Sequence, residues 1–237
     1  MLSWKLGRVP EPELMEDPEE VSSYASAAAS RHLGAIDDSF IEHLARLLSC
    51  AAEDRRPLRA LDIGCGPAQI PIKFLKRFTG WHVVAVDRSW SMLGRARQDA
   101  QAAGVQDRLQ LVAADIHELP LRSSSFDAVM CNSVLHHARS PAALVTEILR
   151  LAGNTGAILL RDLRRPARPL LGWHLWRHGR HYTGKMRELF NASVRASYTA
   201  GELRKLSVDA GAIQSGARVF VFGGAHIGIE RARVFRN

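Results

Sequence analysis

Short apolar runs alternate with segments of helical spacing along most of this chain. Leu58, Ala60, Leu61 and Ile63 lead into Asp62-Ile63-Gly64-Cys65-Gly66, and a helix-compatible stretch, Ala68 to Phe78, follows at once. Trp81 to Val86 is a second run and ends on Asp87, and a third lies within Asp107 to Ala113, ahead of Asp115-Ile116. Phe126 to Asn132 is a fourth, followed by Ser133-Val134-Leu135-His136-His137. A helical segment (Pro141 to Leu151), a break at Gly153 and Gly156, and a fifth run, Ala157 to Leu163, complete the alternation. Such runs, punctuated by turn residues and helical stretches, predict an α/β chain. At the far end, Arg218 to Glu230 holds two alternating runs around Gly223-Gly224, which predicts a tight hairpin.

The first strand-to-helix junction carries the chemistry. Gly64 and Gly66 remove side chains where a ligand approaches the backbone, and the following helix start offers unpaired N–H groups. That loop suits a nucleotide-like cofactor. A dinucleotide fingerprint calls for a third glycine where Gln69 stands. A P-loop calls for Gly-Lys-Ser/Thr, which Pro67-Ala68-Gln69 excludes.

The sequence Asp62-Ile63-Gly64-Cys65-Gly66, with Asp87 ending the second run and Asp115-Ile116 following the third, resembles the class I S-adenosylmethionine (SAM) dependent methyltransferases. Each acid alone reads more readily as solvated strand-end punctuation; their order and spacing carry the resemblance, which covers about Asp37 to Glu230. It implies a doubly wound, mostly parallel, seven-stranded Rossmann-like sheet whose last strand is antiparallel and made by the Gly223-Gly224 hairpin. It also implies SAM as cofactor, S-adenosylhomocysteine (SAH) as product, and cofactor contacts from Asp62, Gly64, Cys65, Gly66, Asp87, Arg88, Met92, Asp115, Ile116 and Asn132. In the family, the acid after the second strand holds the ribose hydroxyls, and the one after the third meets the adenine amino group. The Ser133 to His137 segment looks most like the branch containing the ubiquinone/menaquinone C-methyltransferases and many small-molecule methyltransferases. That branch usually carries Lys-Pro-Gly-Gly before strand five; here Ala152-Gly153-Asn154-Thr155-Gly156 stands instead, which weakens the subfamily assignment more than the fold.

Composition narrows the setting. The 237 residues, 46% hydrophobic, suit one globular domain with a sizeable core. No apolar run reaches membrane-spanning length, and the N-terminus has no signal-peptide core, so a cytoplasmic protein is expected. Cys50, Cys65 and Cys131 show no CxxC spacing, so neither disulfides nor a zinc site are expected. Charge is uneven: Arg161 to Asn237 carries 15 basic and 5 acidic residues, the rest 17 and 19. A basic field of this kind draws anionic partners or simply keeps the protein soluble.

Much of that charge lies between strand five and a helix with a capping box at Thr199 and Glu202. A connection as long as Arg164 to Tyr198 is normally structured or functional, and it reads as a lid over the acceptor pocket, with a helix from Lys185 to Ala196. Asp17-Pro18-Glu19-Glu20 starts a second expected helix, through about Ser30, so residues 1–36 read as an N-terminal cover and 37–237 as the SAM-binding domain. Acceptor contacts are expected from Tyr24, Trp173, His174, Arg177 and Tyr182. His174, His178 and His181, spaced to share one helical face, invite a metal, but Gly179 interrupts them and no carboxylate joins; no metal is expected.

Methyl transfer from SAM is an in-line displacement that requires alignment, exclusion of water and, for a protic acceptor, removal of a proton. His136 and His137, just after strand four at the cofactor crevice, are the candidate bases; alternatively one of them packs on the cofactor or caps the next helix. The expected acceptor is a small organic molecule, anionic or partly hydrophobic. RNA or protein is the alternative acceptor, and a non-catalytic SAM-binding partner the less favoured role. A lid with Leu170, Leu171, Trp173, Leu175 and Trp176 beside its arginines also suits contact with a membrane surface. Oligomeric state is not written in these residues.

Overall fold

A computed structural model describes residues 6–11, 31–48 and 56–234. Tyr24, Cys50 and the expected helix from Asp17 to Ser30 lie outside the described residues. Seven strands form one sheet: β1 (Leu58–Ile63), β2 (Trp81–Asp87), β3 (Leu109–Ala113), β4 (Ala128–Asn132), β5 (Ala157–Leu163), β6 (Arg218–Phe222) and β7 (His226–Arg231). Their order across the sheet is β3-β2-β1-β4-β5-β7-β6. All neighbours pair in parallel except β7, which runs antiparallel to both β5 and β6. Gly223 and Gly224 turn the β6–β7 hairpin, with φ of 57° and 75°. The expected doubly wound sheet with its reversed strand is therefore present.

Strand side chains alternate between two buried faces, as a parallel sheet covered on both sides requires. On one face Leu58, Ala60, Val83, Ala85, Met130 and Leu159 pack against α1 (Arg31–Leu47), α2 (Gln69–Arg77) and α3 (Trp90–Ala102). On the other, Leu61, Ile63, Val129, Cys131 and Leu160 pack against α4 (Pro141–Ala152) and α7 (Ala200–Asp209). Helix α1 runs unbroken across positions 36 and 37, so the expected cover and the sheet share one element. The third run forms β3 within the expected stretch, with Gln106–Arg108 a short 3-10 turn ahead of it.

The lid is helical. A 3-10 turn (Arg168–Leu170) leads into α5 (Leu171–Gly179), and α6 (Gly184–Ala196) follows. Tyr182, Phe190 and Val194 form a small separate core with Leu33 of α1, Leu163, Leu171, Leu175 and Met186. The capping box at Thr199 and Glu202 forms as expected. Its glutamate also receives both oxygens' worth of contact from the buried Arg165, at 2.5 and 2.7 Å, tying the lid's entry to its exit.

Candidate active site

Strand β1 hydrogen-bonds β2 on one side and β4 on the other, so the chain reverses its direction of winding there. Doubly wound sheets bind ligands at the carboxyl ends of strands around such a point. The loop after β1 is fixed by backbone bonds to the end of β2: Gly64 N–H and Cys65 N–H both donate to the Val86 carbonyl, at 2.8 and 2.9 Å. The Gly66 N–H donates to Asp87 Oδ2 at 2.7 Å, and the Ser89 N–H to Oδ1 at 2.9 Å. Gly64 has φ of 71°, and a Cβ there would lie 2.5 Å from Val134 Cγ2, so backbone conformation and space both demand glycine.

The principal cavity joins this loop to the ends of β4 and β5. Asp62, Gly64, Cys65, Asn132, His136 and His137 line its floor and wall. Tyr182, Met186 and Phe190 close it from the lid, and Asp37 of α1 from the side. Gly66, in the loop after β1, and Asp87, Arg88, Met92, Asp115 and Ile116, at or after the ends of β2 and β3, lie outside that cavity. Of these, Met92 and Ile116 are buried, Arg88 is exposed, and Asp115 accepts from the His117 N–H and from Arg139, both at 2.9 Å.

The cavity is acidic at the loop end. Burial, then the neighbouring Asp87 and Asp37, push the Asp62 carboxyl well above the usual range. Burial likewise raises Asp37 to about 6, against the pull of Lys73 and Arg161. Three mutually repelling carboxyls around a glycine loop favour a ligand with a cationic group. Burial also holds the Cys65 and Cys131 thiols well above the ordinary value, which removes them as nucleophiles.

Besides Asp37, sequence reasoning missed two acids here. Asp162, at the end of β5, accepts from His136 twice: from Nδ1 to Oδ1 at 2.6 Å and from the backbone N–H to Oδ2 at 2.9 Å. Both side chains are only 2% exposed. Burial alone would lower the His136 pKa; the charge and hydrogen bond of Asp162, with Glu11 beyond, outweigh it and raise it. The second missed acid, Glu11, lies 3.6 Å from His136 Nε2 and 3.7 Å from His137 Nδ1. Its segment is docked by Arg8, which donates to the His136 carbonyl at 2.8 Å and stacks over Tyr198. The charged pair Arg161-Asp162 closing an otherwise apolar strand was the one signal in the sequence for the β5 end.

Glu11, His136 and His137 bring their polar atoms within 4.8 Å of one another, the one three-membered grouping of metal-ligand types among the described residues. The two imidazoles overlap at 4.1 Å with a tilt of 39°. Ring lone pairs lie in the ring plane, so partly overlapped rings do not aim both nitrogens at one ion. At 3.6 Å Glu11 makes no hydrogen bond to His136 Nε2 and acts on that ring through its charge.

The lid places the residues of the expected acceptor set differently. Tyr182 lines the cavity, and burial together with Asp37 raises its hydroxyl to about 12, so it stays a donor. Trp173, His174 and Arg177 do not line it. Trp173 and Arg177 face outward, because α5 turns Leu171 and Leu175 onto the sheet side instead. His174 is buried outside the cavity and held near 4, first by burial and then by His178. Only two of the three lid histidines share a face: His174 and His178 lie ring to ring at 4.7 Å on α5, which stops at Gly179, and His181 stacks on His32 at 4.3 Å.

The sheet order, the glycine loop at the switch point and the reversed β7 define a class I methyltransferase fold. Residues 61–160 match the family model of a methyltransferase domain. Over 107 residues the chain is 30% identical to the malonyl-[acyl-carrier protein] O-methyltransferase of Legionella pneumophila, covering 45% of this chain and 37% of that protein. Over 115 residues it is 29% identical to a ubiquinone/menaquinone biosynthesis C-methyltransferase of Cereibacter sphaeroides, covering 48% and 46%. Both matches span less than half the relative's length. The plantazolicin methyltransferase BpumL, solved with a triazolic desmethylPZN analogue and SAH, superposes with a TM-score of 0.70 at 16% identity, covering 92% of each chain. A putative SAM-dependent methyltransferase from Methanococcus maripaludis gives 0.68 at 15% identity, covering 96% of this chain and 99% of that one. The chain thus carries a match to a methyltransferase domain over residues 61–160, set in a class I methyltransferase fold.

Proposed function

We propose that this protein transfers the methyl group of SAM to a small organic acceptor, with His136 as general base. The observation that carries the reading is one cavity in which the glycine loop after β1 faces His136, backed by Asp162, beneath the lid. SAM would lie along the loop. Asp62, Gly64, Cys65, Gly66 and Asn132 would border its methionine end, and Asp37, absent from the expected set, would join Asp62 in receiving its ammonium group. Asp87, Arg88, Met92, Asp115 and Ile116 would border the ribose and adenine. SAM supplies an electrophilic methyl group; everything else is positioning and proton handling.

Asp162 fixes the His136 tautomer by accepting from Nδ1, which leaves Nε2 as the acceptor of a proton. Nε2 is buried and has no hydrogen-bond partner among the described residues. A protic acceptor seated there would give its proton to Nε2 as the methyl group arrives, and Asp162 would stabilise the imidazolium. His137, beside it, would border the acceptor without carrying the proton. Tyr182 would orient the acceptor from above by donating its hydroxyl hydrogen. A lid packed over the cavity suits an acceptor of small-molecule size better than a folded RNA or protein. The test is SAM binding by calorimetry, followed by transfer of labelled methyl with wild type and His136→Gln. Tight SAM binding with transfer lost only in the variant supports the reading; no binding of SAM or SAH by wild type refutes it.

A further inference from the structure

The outer face of the lid is unlike the rest of the surface. Between positions 163 and 187 the chain carries seven Lys or Arg and no Asp or Glu. Of nine exposed large hydrophobics among the described residues, three fall between positions 170 and 176: Leu170, Trp173 and Trp176, each more than half exposed. Trp173 and Trp176 are one helical turn apart on α5, so they project from one side. Leu171 and Leu175, on the other side, are spent on the lid's own core. Arg168, Arg177 and Arg180, within a few residues of the tryptophans along the chain, are exposed, as is Arg187 on α6.

We propose that this face docks on the surface of an anionic lipid bilayer. Tryptophan is the side chain that favours the level of lipid headgroups, with an apolar ring body and one N–H for the wet side. Leu170 at the same edge adds an aliphatic wedge, which a lipid boundary accommodates and a stacked base does not. The surrounding arginines complement anionic headgroups, and the absence of any acid between positions 163 and 187 removes the repulsion that would oppose approach. Helix α5 has nine residues, and no helix of the described residues is long and apolar enough to cross a membrane, so the helix lies in the interface rather than through it. The same segment carries Tyr182 and Met186 over the cavity, which places the cavity's roof against the bilayer.

The test is co-sedimentation of the full chain with vesicles of phosphatidylcholine alone or containing phosphatidylglycerol. Binding to the anionic vesicles is expected to be at least roughly tenfold tighter than to neutral ones and to weaken as salt rises. A Trp173→Ser/Trp176→Ser variant is expected to lose roughly tenfold or more of that binding. Trp90→Ser, which removes an indole from another exposed position, is expected to leave it intact. Unaltered far-ultraviolet circular dichroism and SAM binding show that the double variant is folded. Failure to sediment with anionic vesicles, or full binding by the double variant, overturns the proposal. Single-stranded RNA binding that depends on the same two tryptophans, without vesicle binding, would assign the face to nucleic acid instead. Vesicle binding is read without turnover, so its failure would leave the proposed methyl transfer standing.

Discussion

His136 and Asp162 reach each other across neighbouring strand ends, Nδ1 to Oδ1 at 2.6 Å, with both side chains shut off from solvent. Asn132↔Arg161 is the last β4–β5 pair, and the backbone continues that register with the Ser133 N–H donating to the Arg161 carbonyl at 2.8 Å. Arg161 is itself buried, donating to Asn132 Oδ1, Ser39 Oγ and the Ile36 carbonyl, so the floor beneath the pair is clamped to α1.

The pH dependence follows from the neighbours of His136. Its pKa is held above 6.5, because Asp162 and Glu11 outweigh burial. Methyl transfer to a protic acceptor is therefore expected to rise with pH through an apparent pKa above 6.5. Asp162→Asn is expected to lower that midpoint and to cut kcat by about 10²–10⁴-fold. The pair also stabilises the fold. The His136 part of that contribution is complete below pH 6.5 while Asp162 stays ionised, and is lost as pH rises through the higher folded-state value. A pH–rate profile of both proteins decides: identical midpoints would contradict the base role.

Gly64→Ala is expected to abolish SAM binding or to unfold the loop, since the new methyl meets Val134 and the backbone is left-handed. Adding Val134→Ala relieves the collision but not the backbone strain of about 1–2 kcal/mol. The double variant is thus expected to recover only part of the lost affinity in a calorimetric titration. Full recovery would show that space, not conformation, fixes the glycine.

Asp87→Ala is expected to weaken SAM binding by about 1.5–3 kcal/mol, the scale of hydrogen bonds to a charged group. Because Asp87 also accepts from Gly66 and Ser89, part of that loss is expected to appear as a lower Tm without ligand. Unchanged affinity would remove Asp87 from the cofactor site.

SAM affinity is expected to increase as pH rises through about 6, where Asp37 ionises. A cationic ammonium group binds the ionised carboxylate, so the protonated form must release its proton on binding and affinity falls on the acid side. Asp37→Asn is expected to flatten the dependence over that range. A pH-independent wild-type affinity between pH 5 and 7 would contradict the placement, as read by titration at several pH values.

The strands and the glycine loop were legible because they are local. A buried strand announces itself by a short apolar run, and a strand-to-helix junction by its glycines. Asp162 was not legible as the partner of His136, since 26 positions separate them and only the β4–β5 register brings them together. Glu11 reaches the same site from the far end of the chain, through contacts of Arg8 that no periodicity records. The facing of the lid helix was not legible for a different reason. Helical spacing shows that Trp173 and Arg177 can share a side, but not which side meets the core; Leu171 and Leu175 won that place by completing the cluster around Tyr182 and Phe190.

The most direct measurement is to incubate the protein with methyl-labelled SAM and cell extract divided into small molecules and macromolecules, comparing wild type with His136→Gln. Label entering only the small-molecule fraction, and only with wild type, is the expected result. Label entering nucleic acid or protein, or equal transfer by the variant, would contradict the proposed function.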